Sequence, residues 1–230
     1  MSATNRPLPD RVSAIVFDCD GLLLDTEPAW TVGETAVFAE NGFDFGPEQK
    51  RLVIGKSLSD ATGLMADYFG RPGAGPELVG RLLEVVEEQL LLGVTPMPGV
   101  VAVLDAIGQR VPIAVASNSH RRFLDVSLEG SGLASRFAVA VSSDDVEHPK
   151  PRPDVYLEAF ARLGADPARG VALEDSATGI ESAMASGAFV IAVPSLPGGD
   201  ARGGDARGDF VVASLEDPAV IEWARTVQPI

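Results

Sequence analysis

The feature that most constrains this chain is a recurring alternation in its second half. Short continuous apolar runs, Val111–Ala116, Phe137–Val141, Gly170–Leu173 and Phe189–Val193, take turns with stretches of helical period, Val100–Gly108, Arg121–Gly130, Pro153–Leu163 and Ser176–Gly187. One more apolar run, Val12–Phe17, lies near the N-terminus. Runs with no polar alternation read as strands buried on both faces. Strands alternating with helices read as a parallel sheet covered on both sides. The expected fold is therefore α/β, with a Rossmann-like parallel sheet core. In such sheets ligands sit at the carboxyl ends of the strands, so the residues just after each run matter most.

Residues 28–95 break the alternation and offer helical patterns only. Leu58, Ala61, Leu64, Met65, Tyr68 and Phe69 share one helical face, and Leu78, Leu82, Leu83, Val86 and Leu90 share another. Gly70–Gly75 is a breaker between them. The expected organisation is an α/β core of residues 10–27 and 96–230, with an inserted all-helical domain of residues 28–95. The tandem Gly198-Gly-Asp-Ala-Arg202 and Gly203-Gly-Asp-Ala-Arg207 repeat cannot bury an apolar face and is expected to be a mobile surface loop. Arg207-Gly-Asp209 has the form of an adhesion motif, which does not suit a chain read as cytoplasmic.

That location follows from what is missing. Met1–Arg11 has no signal-like apolar stretch, no run is long enough to span a membrane, and Cys19 is the single cysteine. With 33 acidic against 18 basic residues the net charge is −15. Such a surface repels polyanions, so neither nucleic acid nor an anionic membrane is an expected partner. A monomer that takes a small ligand is expected.

Four strand ends carry chemistry. Asp18-Cys19-Asp20-Gly21 follows the first run, and alternation places Asp18 and Asp20 on one side with Cys19 on the other. Two such carboxylates repel unless a cation or shared proton intervenes. Ser117-Asn118-Ser119 follows the second run and offers hydroxyls and free amides to an anion, or a helix cap. Lys150 lies between Pro149 and Pro151, which restrict its backbone. Glu174-Asp175-Ser176 follows Val171–Leu173 and again offers two acids, or a cap. Taken together these are hard oxygen ligands suited to Mg²⁺, with a lysine and amides suited to phosphate.

In this order the four motifs resemble those of the haloacid dehalogenase superfamily. Asp18-Cys-Asp-Gly-Leu-Leu-Leu-Asp-Thr-Glu-Pro28 and Leu173-Glu-Asp-Ser-Ala-Thr-Gly179 are similar to the subgroup that holds β-phosphoglucomutase and sugar-phosphate phosphatases, which carries a helical cap after the first strand. The resemblance implies a Mg²⁺-dependent phosphatase acting on a small phosphorylated metabolite, a sugar or sugar-alcohol phosphate. Asp18 would be the nucleophile and Asp20 the general acid and base. The metal would be held by Asp18, the Asp20 carbonyl and Asp175, with Glu174 as a ligand or as support for a bound water. Ser117, Asn118 and Lys150 would hold the phosphoryl group.

Departures from the pattern narrow the choice. Trp30 occupies the place where the phosphomutases of the subgroup have a cap histidine, which favours hydrolysis over a mutase and makes Trp30 a candidate substrate contact or cap packing residue. Gly55-Lys56-Ser57 lacks the earlier glycine and preceding strand of a nucleotide-binding loop. Lys56 is a candidate substrate contact in a cap turn, or a solvated lysine. Cys19, facing away from the aspartates, is expected to pack.

Overall fold

The computed structural model describes residues 5–54, 56–194 and 208–230. The chain divides into two compact units, Met1–Asp25 with Thr95–Ile230, and Thr26–Val94.

The first unit opens with β1 (Arg11–Val12), β2 (Ile15–Phe17) and β3 (Leu24–Asp25). The second unit holds α1 (Glu27–Glu40), α2 (Pro47–Val53), α3 (Leu58–Tyr68) and α4 (Gly75–Leu91). The chain returns to the first unit through β4 (Thr95–Pro96), which pairs antiparallel with β3, so departure and return run side by side. The remainder is α5 (Val100–Ile107), β5 (Ile113–Ala116), α6 (Arg121–Gly130), β6 (Val139–Val141), α7 (Asp154–Arg162), β7 (Val171–Glu174), α8 (Ala177–Ala185), β8 (Phe189–Ala192), β9 (Phe210–Val211), α9 (Pro218–Thr226) and β10 (Gln228–Pro229).

Among the described residues, six strands form one parallel sheet in the order β6-β5-β2-β7-β8-β9. Strand β2 is the switch point: the chain runs outward through β5 to β6, then crosses back to β7 and runs the other way. A crevice opens at such a point, outside the carboxyl ends of the strands. The register aligns those ends, with Phe17 opposite both Val115 and Leu173. Every residue of β2, β5 and β7 is buried, as continuous apolar runs require. On one face Val16, Ala114, Ala116 and Ala172 pack with Val155, Tyr156 and Phe160 of α7 and Ile180 of α8. Small alanines on the sheet leave volume for the two rings. Burying a side chain of Phe size contributes roughly 1.5–3 kcal/mol.

The structure departs from expectation at the edges. The run Val12–Phe17 is two strands, because Ser13 turns away: its N–H donates to Arg169 O (2.8 Å) and its hydroxyl to Asp166 O (2.7 Å). Strand β1 pairs instead with β10. Strands β9 and β10 and helix α9 were not legible as apolar runs. The Gly/Asp/Ala/Arg repeat of residues 198–207 lies outside the described residues, as does Arg207. Asp209 is described and is held in the fold, by an ion pair with Arg6 and by the Val190 N–H at 2.9 Å.

In the helical unit, α1 and α3 both pack on α4. Gly33 permits the α1–α4 approach, since a Cβ there would lie 2.7 Å from Val86. Phe38 packs against Phe45, Tyr68 and Phe69. Lys50 joins the buried Glu34 (2.6 Å) and also Glu27. Among the described residues no helix is long and apolar enough to cross a membrane.

Candidate active site

Asp18 follows the last residue of β2, and its N–H is still in the sheet, donating to Leu173 O (3.0 Å). Backbone pairing therefore fixes its place in the crevice. Its Oδ1 accepts from Lys150 Nζ at 2.5 Å. Lys150 also donates to Glu174 Oε1 at 2.5 Å, and its Nζ lies 4.9 Å from the centroid of the Tyr156 ring. The Lys150 side chain is only 4% exposed and the Glu174 side chain 0%. Burial of an ammonium this deep pushes its pKa down, but Asp18 and Glu174 outweigh that and hold it charged. Burial pushes the Asp18 carboxyl well up, and Glu174, Asp175 and Asp20 add to this against Lys150.

Glu174 is the centre of the network. Its Oε1 also accepts from Tyr156 OH (3.1 Å), and its Oε2 from the N–H groups of Asp175 (2.9 Å) and Ser176 (3.0 Å) and from Ser176 Oγ (3.1 Å). Gly179 makes room for it: a Cβ there would lie 1.7 Å from Oε1. Gly21, in the left-handed region at φ 87°, similarly makes room for Asp175, whose Oδ2 would lie 2.4 Å from a Cβ. The glycine of the first motif thus closes on the acid of the fourth.

Asp20 is treated differently from Asp18. It is partly exposed, and its Oδ2 accepts from Ser117 Oγ (3.1 Å) and Ser119 Oγ (2.8 Å). Asn118 faces neither aspartate. Its side chain clamps the Lys150 backbone, donating to Lys150 O (3.2 Å) and accepting from Lys150 N–H (2.8 Å). None of these three residues caps α6. That helix starts after His120, and Asp144 accepts from the Arg121 N–H at 2.9 Å. Ser176 does cap α8, accepting from the Gly179 N–H. Cys19 is buried, and burial, then Asp20 and Asp18, pushes its thiol well up, so it is no nucleophile.

Asp18, Glu174 and Asp175 each place one oxygen within 4.8 Å of the others. With Asp20 nearby, four carboxylates gather near Lys150, which is bonded to Asp18 and Glu174. An all-oxygen donor set with this excess of negative charge fits a divalent cation. The structure therefore brings Asp18, Asp20, Ser117, Asn118, Lys150, Glu174 and Asp175 together. Trp30, half-buried on α1, and Lys56, exposed before α3, belong to the helical unit. Ser119, expected to face an anion or cap a helix, instead bonds Asp20, and Tyr156 joins the site through Glu174. Ser119 could have been found by the same alternation that pairs Asp18 with Asp20, since it lies two residues beyond Ser117. Nothing in the sequence singles out Tyr156.

The family model for haloacid dehalogenase-like hydrolases matches residues 15–193. Hexitol phosphatase B of Escherichia coli K12 is 34% identical over 203 residues, covering 81% of this chain and 86% of its own. A fructose-1-phosphate phosphatase of the same organism is 30% identical over 188 residues, covering 81% and 99%. A family hydrolase from Deinococcus radiodurans R1, crystallised with phosphate and sodium, superposes with a TM-score of 0.73 at 26% identity, covering 96% and 100%. The chain belongs to the haloacid dehalogenase-like hydrolases and is an enzyme of their phosphatase branch.

Proposed function

We propose that this chain is a Mg²⁺-dependent phosphatase that hydrolyses a sugar or sugar-alcohol phosphate through an aspartyl-phosphate on Asp18. The observation that carries this reading is the unequal treatment of two aspartates at one strand end. Asp18 is buried against Lys150 and the acidic cluster, while Asp20 is half-exposed and held by hydroxyls.

In the first step an Asp18 oxygen forms a bond to phosphorus as the bond to the leaving alcohol oxygen breaks. That oxygen keeps the electron pair and takes a proton from the Asp20 carboxyl. In the second step water attacks the phosphorus of the aspartyl-phosphate, its proton passes to Asp20, and Asp18 is released with inorganic phosphate. Lys150 stays on Asp18 and Glu174 and offsets charge as phosphate arrives. The Ser117 hydroxyl and the Asn118 N–H receive phosphoryl oxygens, and the Asn118 side chain steadies Lys150.

Asp18, Asp175 and the Asp20 carbonyl would hold the metal, with Glu174 as an outer support whose oxygens already accept protein donors. When bound, the ion neutralises the carboxylates and draws charge from the phosphoryl oxygens. We assign contacts with the organic part of the substrate to Trp30 and Lys56.

The test is phosphate release from a panel of hexose and hexitol phosphates with Mg²⁺, using Asp18→Asn as the blank. Release that requires both Mg²⁺ and Asp18 is expected, and none from any member would refute the reading. Formation of a new hexose phosphate isomer in place of free phosphate would make the enzyme a phosphomutase instead.

A further inference from the structure

Ser119 donates its hydroxyl to Asp20 Oδ2 at 2.8 Å, closer than Ser117 at 3.1 Å. Its backbone is fixed by other groups. The Ser119 N–H donates to Ser117 Oγ (2.9 Å), and its carbonyl accepts from the Ser143 N–H (3.2 Å) and Ser143 Oγ (3.3 Å). Ser117 in turn is held in the sheet, its N–H donating to Val141 O at 2.9 Å. The turn is thus built from backbone groups and the Ser117 side chain. Among the described residues, the Ser119 hydroxyl bonds to Asp20.

We propose that Ser119 is a positioning residue for Asp20. Two donors on one carboxylate oxygen fix the rotation of the carboxyl group, and that rotation sets the direction of the other oxygen. A proton transfer needs that direction to match the leaving oxygen within hydrogen-bond reach. Removing the closer of these two donors loosens that rotation. The inference rests on the phosphatase reading, in which Asp20 protonates the leaving alcohol. Ser119 acts through Asp20 and does not itself touch the reacting atoms.

Replacing Ser119 by alanine removes the hydroxyl and keeps the backbone bonds of the turn. The experiment compares kcat/KM for an alkyl phosphate with that for p-nitrophenyl phosphate. This parameter reports steps up to phosphorylation of Asp18, so hydrolysis of the aspartyl-phosphate does not intervene. Nitrophenolate leaves without a proton, while an alkoxide needs one. General acid catalysis contributes about 10²–10⁴-fold. Ser119→Ala should therefore lower kcat/KM on the alkyl phosphate about 10-fold or more, and on p-nitrophenyl phosphate by less than about 3-fold. Ser119→Thr should restore the alkyl rate. In an Asp20→Asn background, Ser119→Ala should add no further loss. Equal losses on both substrates, a full additional loss in the Asp20→Asn background, or an unchanged alkyl rate would overturn the inference while leaving the phosphatase reading intact. A wild-type protein that releases phosphate from neither ester would overturn that reading, and the inference with it.

Discussion

Gly179 offers a test in which the sign of the effect is informative. It lies in the first turn of α8, and glycine to alanine inside a helix ordinarily stabilises by about 1 kcal/mol. Here the added Cβ would lie 1.7 Å from Glu174 Oε1, 2.0 Å from Cδ and 2.3 Å from Oε2. Ordinary contact requires a displacement of about 1.5 Å or more. A free glutamate on a surface would swing aside, but this one is fully buried and accepts from Lys150, Tyr156, Asp175, Ser176 N–H and Ser176 Oγ. Hydrogen bonds stretched that far are lost. Bonds to a charged group are worth roughly 1.5–3 kcal/mol each, so losing two costs about 3–6 kcal/mol. Less the helix gain, the net loss is about 2–5 kcal/mol, or on the order of 10 °C in Tm for a chain of this size. Trp223 is buried in α9 of the α/β unit, and Trp30 lies in the helical unit. Urea unfolding followed by Trp223 fluorescence in a Trp30→Phe background therefore reports the unit that contains Glu174. Gly80→Ala is the control, because a Cβ there meets nothing within 4 Å, and it should stabilise the helical unit by up to about 1 kcal/mol. A Gly179→Ala protein with an unchanged or raised Trp223 transition would refute the claim that the Glu174 carboxylate is pinned.

Three further outcomes are expected. Mg²⁺ at a hundredfold excess over its Kd should stabilise the protein by about 2.7 kcal/mol, a Tm rise that chelator removes and that Asp175→Asn abolishes; an equal rise in the variant would place the metal elsewhere. Lys150→Met should destabilise the metal-free protein by about 3–5 kcal/mol, because Asp18 and Glu174 lose their buried counter-charge; equilibrium denaturation measures it. Asp145 is pushed up by partial burial, yet the Ser142 N–H and hydroxyl together with Arg121 pull its carboxyl well below the usual range. A lowered folded-state pKa means that its contribution is present above the unfolded value of about 3.9 and fades as pH falls below it. Asp145→Asn should therefore be less stable than wild type at pH 7, with the gap closing in melts taken below about pH 4.

The central sheet was legible because β5, β7 and β8 are buried on both faces, which forces their sequences into unbroken apolar runs. Strand β9 was not, because only Phe210 and Val211 pair and both are partly exposed. The split of Val12–Phe17 depended on bonds from Ser13 to residues 166 and 169, which no local pattern announces. In the site, alternation told which residues share a strand end but not which partner each would choose. Asn118, expected at a phosphate, has the Lys150 backbone as the partner of its side chain. Lys150, expected there too, is bonded to Asp18 and Glu174. Those choices depend on the register of three strands, which brings Phe17, Val115 and Leu173 level.

Asp18 and Asp20 show why that register matters for chemistry. In the sequence they are the same residue type, two positions apart, on one side of the chain. Asp18 N–H is still in the sheet, so its carboxylate is carried into the buried space between β5 and β7, where Lys150, Glu174 and Asp175 gather. Asp20 lies beyond the last residue of β2 and meets the hydroxyls after β5. A group among charges that a cation can neutralise is suited to attack phosphorus as an anion. A half-exposed group held by neutral donors can lose and regain a proton without leaving a charge stranded in the interior. Carboxyl groups take on different roles when their surroundings differ in this way. Two residues of chain, less than 7 Å of extended backbone, are enough here to separate the proposed nucleophile from the proposed proton carrier, because Asp18 N–H is still bonded to the neighbouring strand and Asp20 lies beyond that bond.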